Sequence, residues 1–128
     1  NVPELAHNVA VSALFQGEPS PDHEIAAMME ASKAKRRSSQ PIAASAGCIF
    51  KNPEGIGAGQ LVDELGLKDT GVGEARVSEV HGNFIVNNRR ATAAEVLELI
   101  KQIKAKALEE RGIELETEVR IIGQDEPV

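Results

Sequence analysis

The segment "TAAEVLELIKQIKAKALEERG", residues 92–112, constrains this chain more than any other stretch. Thr92 and Glu95 have the spacing of a capping box, in which hydroxyl and carboxylate each satisfy an otherwise orphaned amide of the first helical turn. Val96, Ile100, Ile103 and Ala107 then fall on one helical stripe, with Leu97 and Leu108 beside it. Gly112 is a natural C-cap, because glycine enters the left-handed region without a Cβ penalty. A helix with one apolar stripe is stable only when that stripe is covered. The sequence around it must therefore supply a sheet or more helices.

It supplies both. "EARVSEV" (74–80) and "NFIVNN" (83–88) read as two strands joined through the turn "HG", with "NNRR" closing the second. "ELETEVRIIG" (114–123) alternates, placing Leu115, Thr117, Val119 and Ile121 on one face and Glu116, Glu118 and Arg120 on the other. Upstream, "NVAVSALFQ" (8–16) reads as a short apolar strand, followed by the break "GEPSP". Ser20 offers an N-cap, Pro21 suits the first helical position and Asp22 favours the positive end of the dipole. Ile25, Met28 and Met29 continue that helix, with Ser32 next on the stripe, towards Lys33, Lys35, Arg36 and Arg37. "SSQPIAASAG" is an irregular connection, and "CIF" (48–50) a short strand ended by "KNPEG". The turn containing Gly55, Gly57 and Gly59 opens the helix "AGQLVDELG". Short strands mixed with helices predict an α+β domain, a small mixed or antiparallel sheet with about three helices packed against it. A doubly wound nucleotide fold is not expected.

Composition narrows the function. The chain has 128 residues, enough for one domain with room for a fragment of a second, and only three Phe with no Tyr or Trp. Its core must be aliphatic. A net charge of −6 argues against a nucleic-acid partner, which needs a cationic surplus, and the aromatic platforms that stack bases are missing. The single cysteine, Cys48, rules out an internal disulfide framework and suits a reducing cytoplasm. No apolar run approaches the roughly 20 residues that span a bilayer, so no membrane partner is expected. The first residues lack the pattern of a signal peptide. Without an initiator methionine, the chain is expected to be part of something longer.

Individual residues leave more than one reading open. Gly55, Gly57 and Gly59 miss the spacing of a dinucleotide fingerprint and of a P-loop, leaving a tight turn into a helix or an anion site at the helix start. Cys48, between small residues and Ile49–Phe50, reads as core. The flexible Gly47 before it, and Lys51 and Asn52 after it, also suit a reacting centre. Strand alternation would put Cys48, Phe50 and Asn52 on one side. His81 is a candidate acid–base group, and with Cys48 suggests a thiol and its base; a histidine in a hairpin turn is otherwise exposed and inert. Glu118 is either a solvated strand carboxylate paired with Arg120 or a functional acid. The "KAKRR" run reads as a solvated helix end. No cluster has metal-ligand spacing.

Together, "RRSSQP…SAGCIFKNPEG", "AGQLVDELGLKDTGVGEARVSEVHGNFIVN", "ATAAEVLELI" and "GIELETEVRIIG" resemble the C-terminal domain of UDP-N-acetylenolpyruvoylglucosamine reductase, over roughly residues 20–123. The resemblance implies a bacterial, cytoplasmic flavoenzyme of peptidoglycan precursor synthesis. It reduces UDP-N-acetylglucosamine enolpyruvate to UDP-N-acetylmuramate, with NADPH as reductant and FAD as carrier. Its proton donor is normally a serine in the pattern A-G-S-x-F-K-N-P, and Cys48 stands at that position. A neutral thiol can take the role, its lower pKa easing proton release.

By the same resemblance Glu118 matches an active-site glutamate supporting the enolate-like intermediate. Such a carboxyl helps only if it is protonated or bridged by donors. Asn52 matches a substrate-contacting asparagine, Arg36 a basic residue on the nucleotide side, Lys68 a substrate-contacting lysine, and His81 a polar residue near the diphosphate. Residues 1–19 are then the tail of a preceding flavin-binding region and a linker, and 20–128 the substrate-binding domain. FAD would be held mainly by that preceding region, the domain's partner within the same protein, and this portion alone would not turn over. Asp69 stands where the family often has glycine, and the missing tyrosine points to the shorter subgroup. A nucleotide-sugar binding module without catalysis is the alternative, and a thiol-dependent hydrolase built on Cys48 and His81 a third reading.

Overall fold

The computed structural model describes residues 8–123. The chain divides into two compact units, residues 1–32 and 33–128. In the first, residues 8–20 form no strand, and Val9, Val11, Leu14 and Phe15 are exposed. This corrects the strand expected over 8–16: such a segment holds only when it pairs with a neighbouring strand, and among the described residues none pairs with it. Helix α1, Asp22–Ser39, starts where the capping signals place it, with Glu24 and Ile25 amides donating to Pro21 O. The Ser20 hydroxyl donates to the Glu24 carboxylate instead of capping an amide. Asp22 and Glu24 in the first turn and Arg36 and Arg37 in the last complement the dipole, yet α1 has no buried residue. Its apolar stripe of Ile25, Met28 and Met29 is exposed.

The second unit carries β1 (Ser45–Cys48), α2 (Ala58–Glu64), β2 (Gly71–Val72), β3 (Ala75–Val77), β4 (Phe84–Asn87) and α3 (Ala93–Arg111). The sheet order is β1-β4-β3-β2, every pairing antiparallel. β2 is absent from the sequence reading, because two residues are too few to show alternation. The strand expected over 48–50 begins and ends earlier. Ser45 faces Val86 while Cys48 faces Phe84, so β1 carries one extra residue, and Gly47 takes φ 83 there. Past this bulge the alternation stops: Ile49 and Phe50 are both buried.

The segment 114–123 is a further correction. Its alternation holds as far as Val119, with Leu115 buried, Thr117 and Val119 half-buried and Glu116, Glu118 and Arg120 exposed, but Ile121, expected on the apolar face, is exposed too. It makes only one bridge, Thr117 with Phe50, flanked by the Lys51 amide to Glu116 O and the Glu118 amide to Ile49 O at 2.7 Å. A longer strand would need β1 to continue beside it, and β1 stops at Cys48.

α3 follows its sequence closely. The Glu95 amide donates to Thr92 Oγ1, the Thr92 amide donates to Glu95 Oε2, and Gly112 caps the end at φ 65. Leu99, Ile100, Ile103 and Ala107 are buried, whereas Leu108 is exposed. α3 lies against β2, β3 and α2, and Arg111 pairs with Glu64 across the two helices. The core is aliphatic apart from Phe50 and Phe84.

Gly82 brings the turn after β3 directly onto α2. A Cβ there would stand 2.5 Å from Gly59 O and 3.1 Å from Val62 Cβ. Gly82→Ala is expected to destabilise the chain by about 1–3 kcal/mol, since backbone cannot yield as a side-chain tip does. Urea unfolding of the variant checks this.

Candidate functional site

Three elements meet around a cleft of about 400 Å³ lined by Asn52, Gln60, Asp63, Lys68, His81 and intervening glycines. Asn52 is held by a structural task. α2 starts at Gly57, which has no side-chain cap, and Asn52 Oδ1 accepts from the Ala58 amide at 2.9 Å instead. That bond closes the glycine turn onto the helix and occupies the amide an anion would use. Lys68 reaches over α2, its Nζ 2.6 Å from Asp63 Oδ2. The following Asp69 has φ 59, the left-handed conformation that glycine adopts without strain and aspartate tolerates.

His81 does not hang from its turn as an exposed ring. Its Nδ1 accepts from the Asn83 amide at 3.1 Å, and its edge packs on Phe84 with ring centroids 5.0 Å apart. In the neutral ring the proton then lies on Nε2. Gly59 makes room, because a Cβ there would come 2.6 Å from His81 Cε1.

So the fold gathers Asn52, Lys68 and His81, three of the four residues singled out for substrate, on one cleft. Arg36 is not among its lining residues and lies exposed on α1. Its neighbour Arg37 lines a second cleft of about 400 Å³ with Gln40, Arg76, Ser78 and Asn88, and Val80 borders both. Gln60 and Asp63 escaped the sequence reading, which took Arg37 only for part of a solvated helix end. Gln60 and Asp63 lie three positions apart on α2, one helical face, and that spacing was the available signal.

Cys48 and Glu118 also come together. The Glu118 amide donates to Ile49 O, which brings its segment against the residue after the half-buried thiol, within reach of the carboxylate's charge. Burial first, and the negative charge of Glu118 second, push the Cys48 thiol above its ordinary pKa. The group therefore keeps its proton at neutral pH. Glu118→Gln removes the second cause and is expected to move the thiol pKa down, with burial keeping it above the ordinary value. The pH dependence of Cys48 alkylation in this chain measures it, and an upward or absent shift would contradict the geometry. Among the described residues no hydrogen bond joins Cys48 to His81, whose partners are Asn83 and Phe84. The thiol–base pair of a hydrolase is not assembled. No group of His, Cys, Asp and Glu among the described residues could hold a metal ion, and no helix among them is long and apolar enough to cross a membrane.

The family model for the UDP-N-acetylenolpyruvoylglucosamine reductase C-terminal domain matches residues 39–122. The chain belongs to this family. Proteins named UDP-N-acetylenolpyruvoylglucosamine reductase share 47% identity over 91% of the chain in Syntrophomonas wolfei and 46% over 91% in Bacillus licheniformis. In Chlamydia muridarum the figure is 49% over 88%. The crystal structure of UDP-N-acetylenolpyruvylglucosamine reductase from Thermus caldophilus superposes with a TM-score of 0.68 and 45% identity, covering 80% of this chain. The chain spans 40%, 64% and 37% of those three relatives and 36% of the Thermus protein. It thus matches one portion of these relatives, and its α+β architecture is that of the family's C-terminal domain.

Proposed function

We propose that this chain is the substrate-binding and proton-donating domain of a bacterial, cytoplasmic reductase that converts UDP-N-acetylglucosamine enolpyruvate to UDP-N-acetylmuramate with NADPH. Residues 1–19 are read as the end of the preceding flavin-binding region. The observation that carries the proposal is the half-buried Cys48 with the Glu118 amide bonded to the adjacent Ile49 carbonyl, on a domain whose cleft offers Lys68, His81 and Asn52.

Cleft volume and chemistry suit part of a nucleotide sugar, since ligand pockets run from about 300 to 1,000 Å³. Lys68 supplies a cation and His81 an Nε2–H donor, both appropriate to diphosphate oxygens. FAD supplies the hydride when bound. The preceding region would hold it, and the Ala58 amide at this chain's glycine turn is already taken by Asn52. What the chain itself provides is the proton. Cys48 Sγ–H donates to the carbon next to the carboxylate, the S–H bond breaking as the C–H bond forms, and leaves a thiolate that solvent reprotonates. The charge that spreads into the substrate carboxylate before that step develops next to Glu118, which supports it through a bridging hydrogen-bond donor.

The test is NADPH oxidation by the full-length protein. Oxidation that depends on UDP-N-acetylglucosamine enolpyruvate, with UDP-N-acetylmuramate as product, is the expected result. Tight nucleotide-sugar binding without oxidation would leave a binding module in its place.

A further inference from the structure

Between the thiol and the cleft stands one residue that neither uses directly. Asn83 is 3% exposed. Its side chain holds both backbone groups of Phe50, Oδ1 accepting from the Phe50 amide and Nδ2 donating to Phe50 O, each at 2.8 Å. Its main-chain carbonyl accepts from the Ile49 amide at 2.9 Å, and its main-chain amide donates to His81 Nδ1 at 3.1 Å. Four hydrogen bonds therefore run from one residue to the two positions after Cys48 and to the ring that lines the cleft.

A β-ladder would ordinarily hold such a segment, but the ladder between β1 and β4 is broken here. The bulge at Gly47 shifts the register, and beyond Cys48 the chain has left the strand. Asn83 replaces the missing ladder bonds with an amide side chain, which presents donor and acceptor together and so clamps one residue's N–H and C=O. Phe50 in turn bridges Thr117, and Ile49 O receives the Glu118 amide.

We infer that Asn83 is a positioning residue for proton transfer, fixing the Cys48–Glu118 pair at a set distance from the ligand held around His81. The inference rests on the proton-donor reading of Cys48. Misplacing a reacting group by about 1 Å costs on the order of 10–100-fold in turnover. Binding, which depends on the cleft residues, should be spared.

The experiment uses the full-length protein carrying Asn83→Ser, whose short hydroxyl cannot span both groups of Phe50; Asn83→Asp, which keeps only the acceptor, stands in if the serine variant does not fold. A kcat about 10–100-fold lower with KM for the nucleotide sugar within about twofold is expected. In a Cys48→Ala background the same substitution should change the residual turnover little, because no donor remains to be misplaced. An equal loss in both backgrounds, a KM that rises in proportion, or an unchanged kcat would overturn the inference.

Should the wild-type protein show no turnover, the functional reading itself has failed, and positioning is then read from alkylation of Cys48 in the folded chain. The rate should rise at least about threefold in the Asn83 variant and stay at the wild-type value in Ile103→Ala, which thins the core without touching Phe50. Equal rates in wild type and the Asn83 variant would again overturn it.

Discussion

Full-length protein with Cys48→Ala should lose at least about 100-fold in kcat for the enolpyruvyl nucleotide sugar, the usual contribution of a positioned general acid. Cys48→Ser should retain turnover, because a hydroxyl fills the same position and carries a proton. The two variants separate more sharply against pH. The active form of the wild-type thiol is the protonated one, and burial and Glu118 raise its pKa. Activity should therefore be full at neutral pH and fall as pH rises through that raised value. A serine hydroxyl does not titrate in that range, so the alkaline fall due to residue 48 should vanish in Cys48→Ser. Steady-state NADPH oxidation across pH measures both effects. Equal kcat in wild type and the alanine variant would place the donor elsewhere.

Phe50→Ala should be the most damaging single change to the fold, at about 3–5 kcal/mol. Phe50 is one of three aromatic residues in the chain and is 1% exposed. It packs in a cluster of buried Ile, Leu, Val and Ala side chains, with few large neighbours able to shift into the vacated space. Total stabilities of single domains lie near 5–15 kcal/mol, so the variant would retain little margin. Urea unfolding of this chain against Phe50→Leu, which preserves much of the volume, gives the comparison. A loss under about 1 kcal/mol in the alanine variant would mean the core around residue 50 collapses freely.

Much of the architecture could be read before the structure. α3 was legible from Thr92 to Gly112 because each signal is local: a capping box within one turn, a stripe within five turns, a glycine cap. The strands β3 and β4 were legible for the same reason. What misled was also local. Residues 8–16 have strand composition, yet composition does not create a partner strand. Residues 114–119 alternate as expected, but Ile121 is exposed, and the alternation did not predict that pairing stops after one bridge. The bulge in β1 at Gly47 was not foreseen, because the strand was expected to begin only at Cys48.

Of the candidate site, Cys48, Glu118, Asn52 and His81 were visible as residue types in suggestive places, and Lys68 only through the family resemblance. Asn83 was not, because its importance lies in bonds to Phe50 across the sheet, and a lone asparagine before a strand looks like any turn residue.

The sequence by itself determined the helices, the aliphatic core and the family, since these depend on periodicity, caps and ordered motifs along one chain. Only the tertiary structure decided that the Glu118 segment runs against the residue after Cys48, that Lys68, His81 and Asn52 share a cleft while Arg36 does not, and that the His81 ring accepts from the Asn83 amide. Those relations join residues distant along the chain. Their distances are set by how α2, the bulged β1 and the 116–118 segment pack on one another, and packing is a property of the whole core that no short stretch encodes.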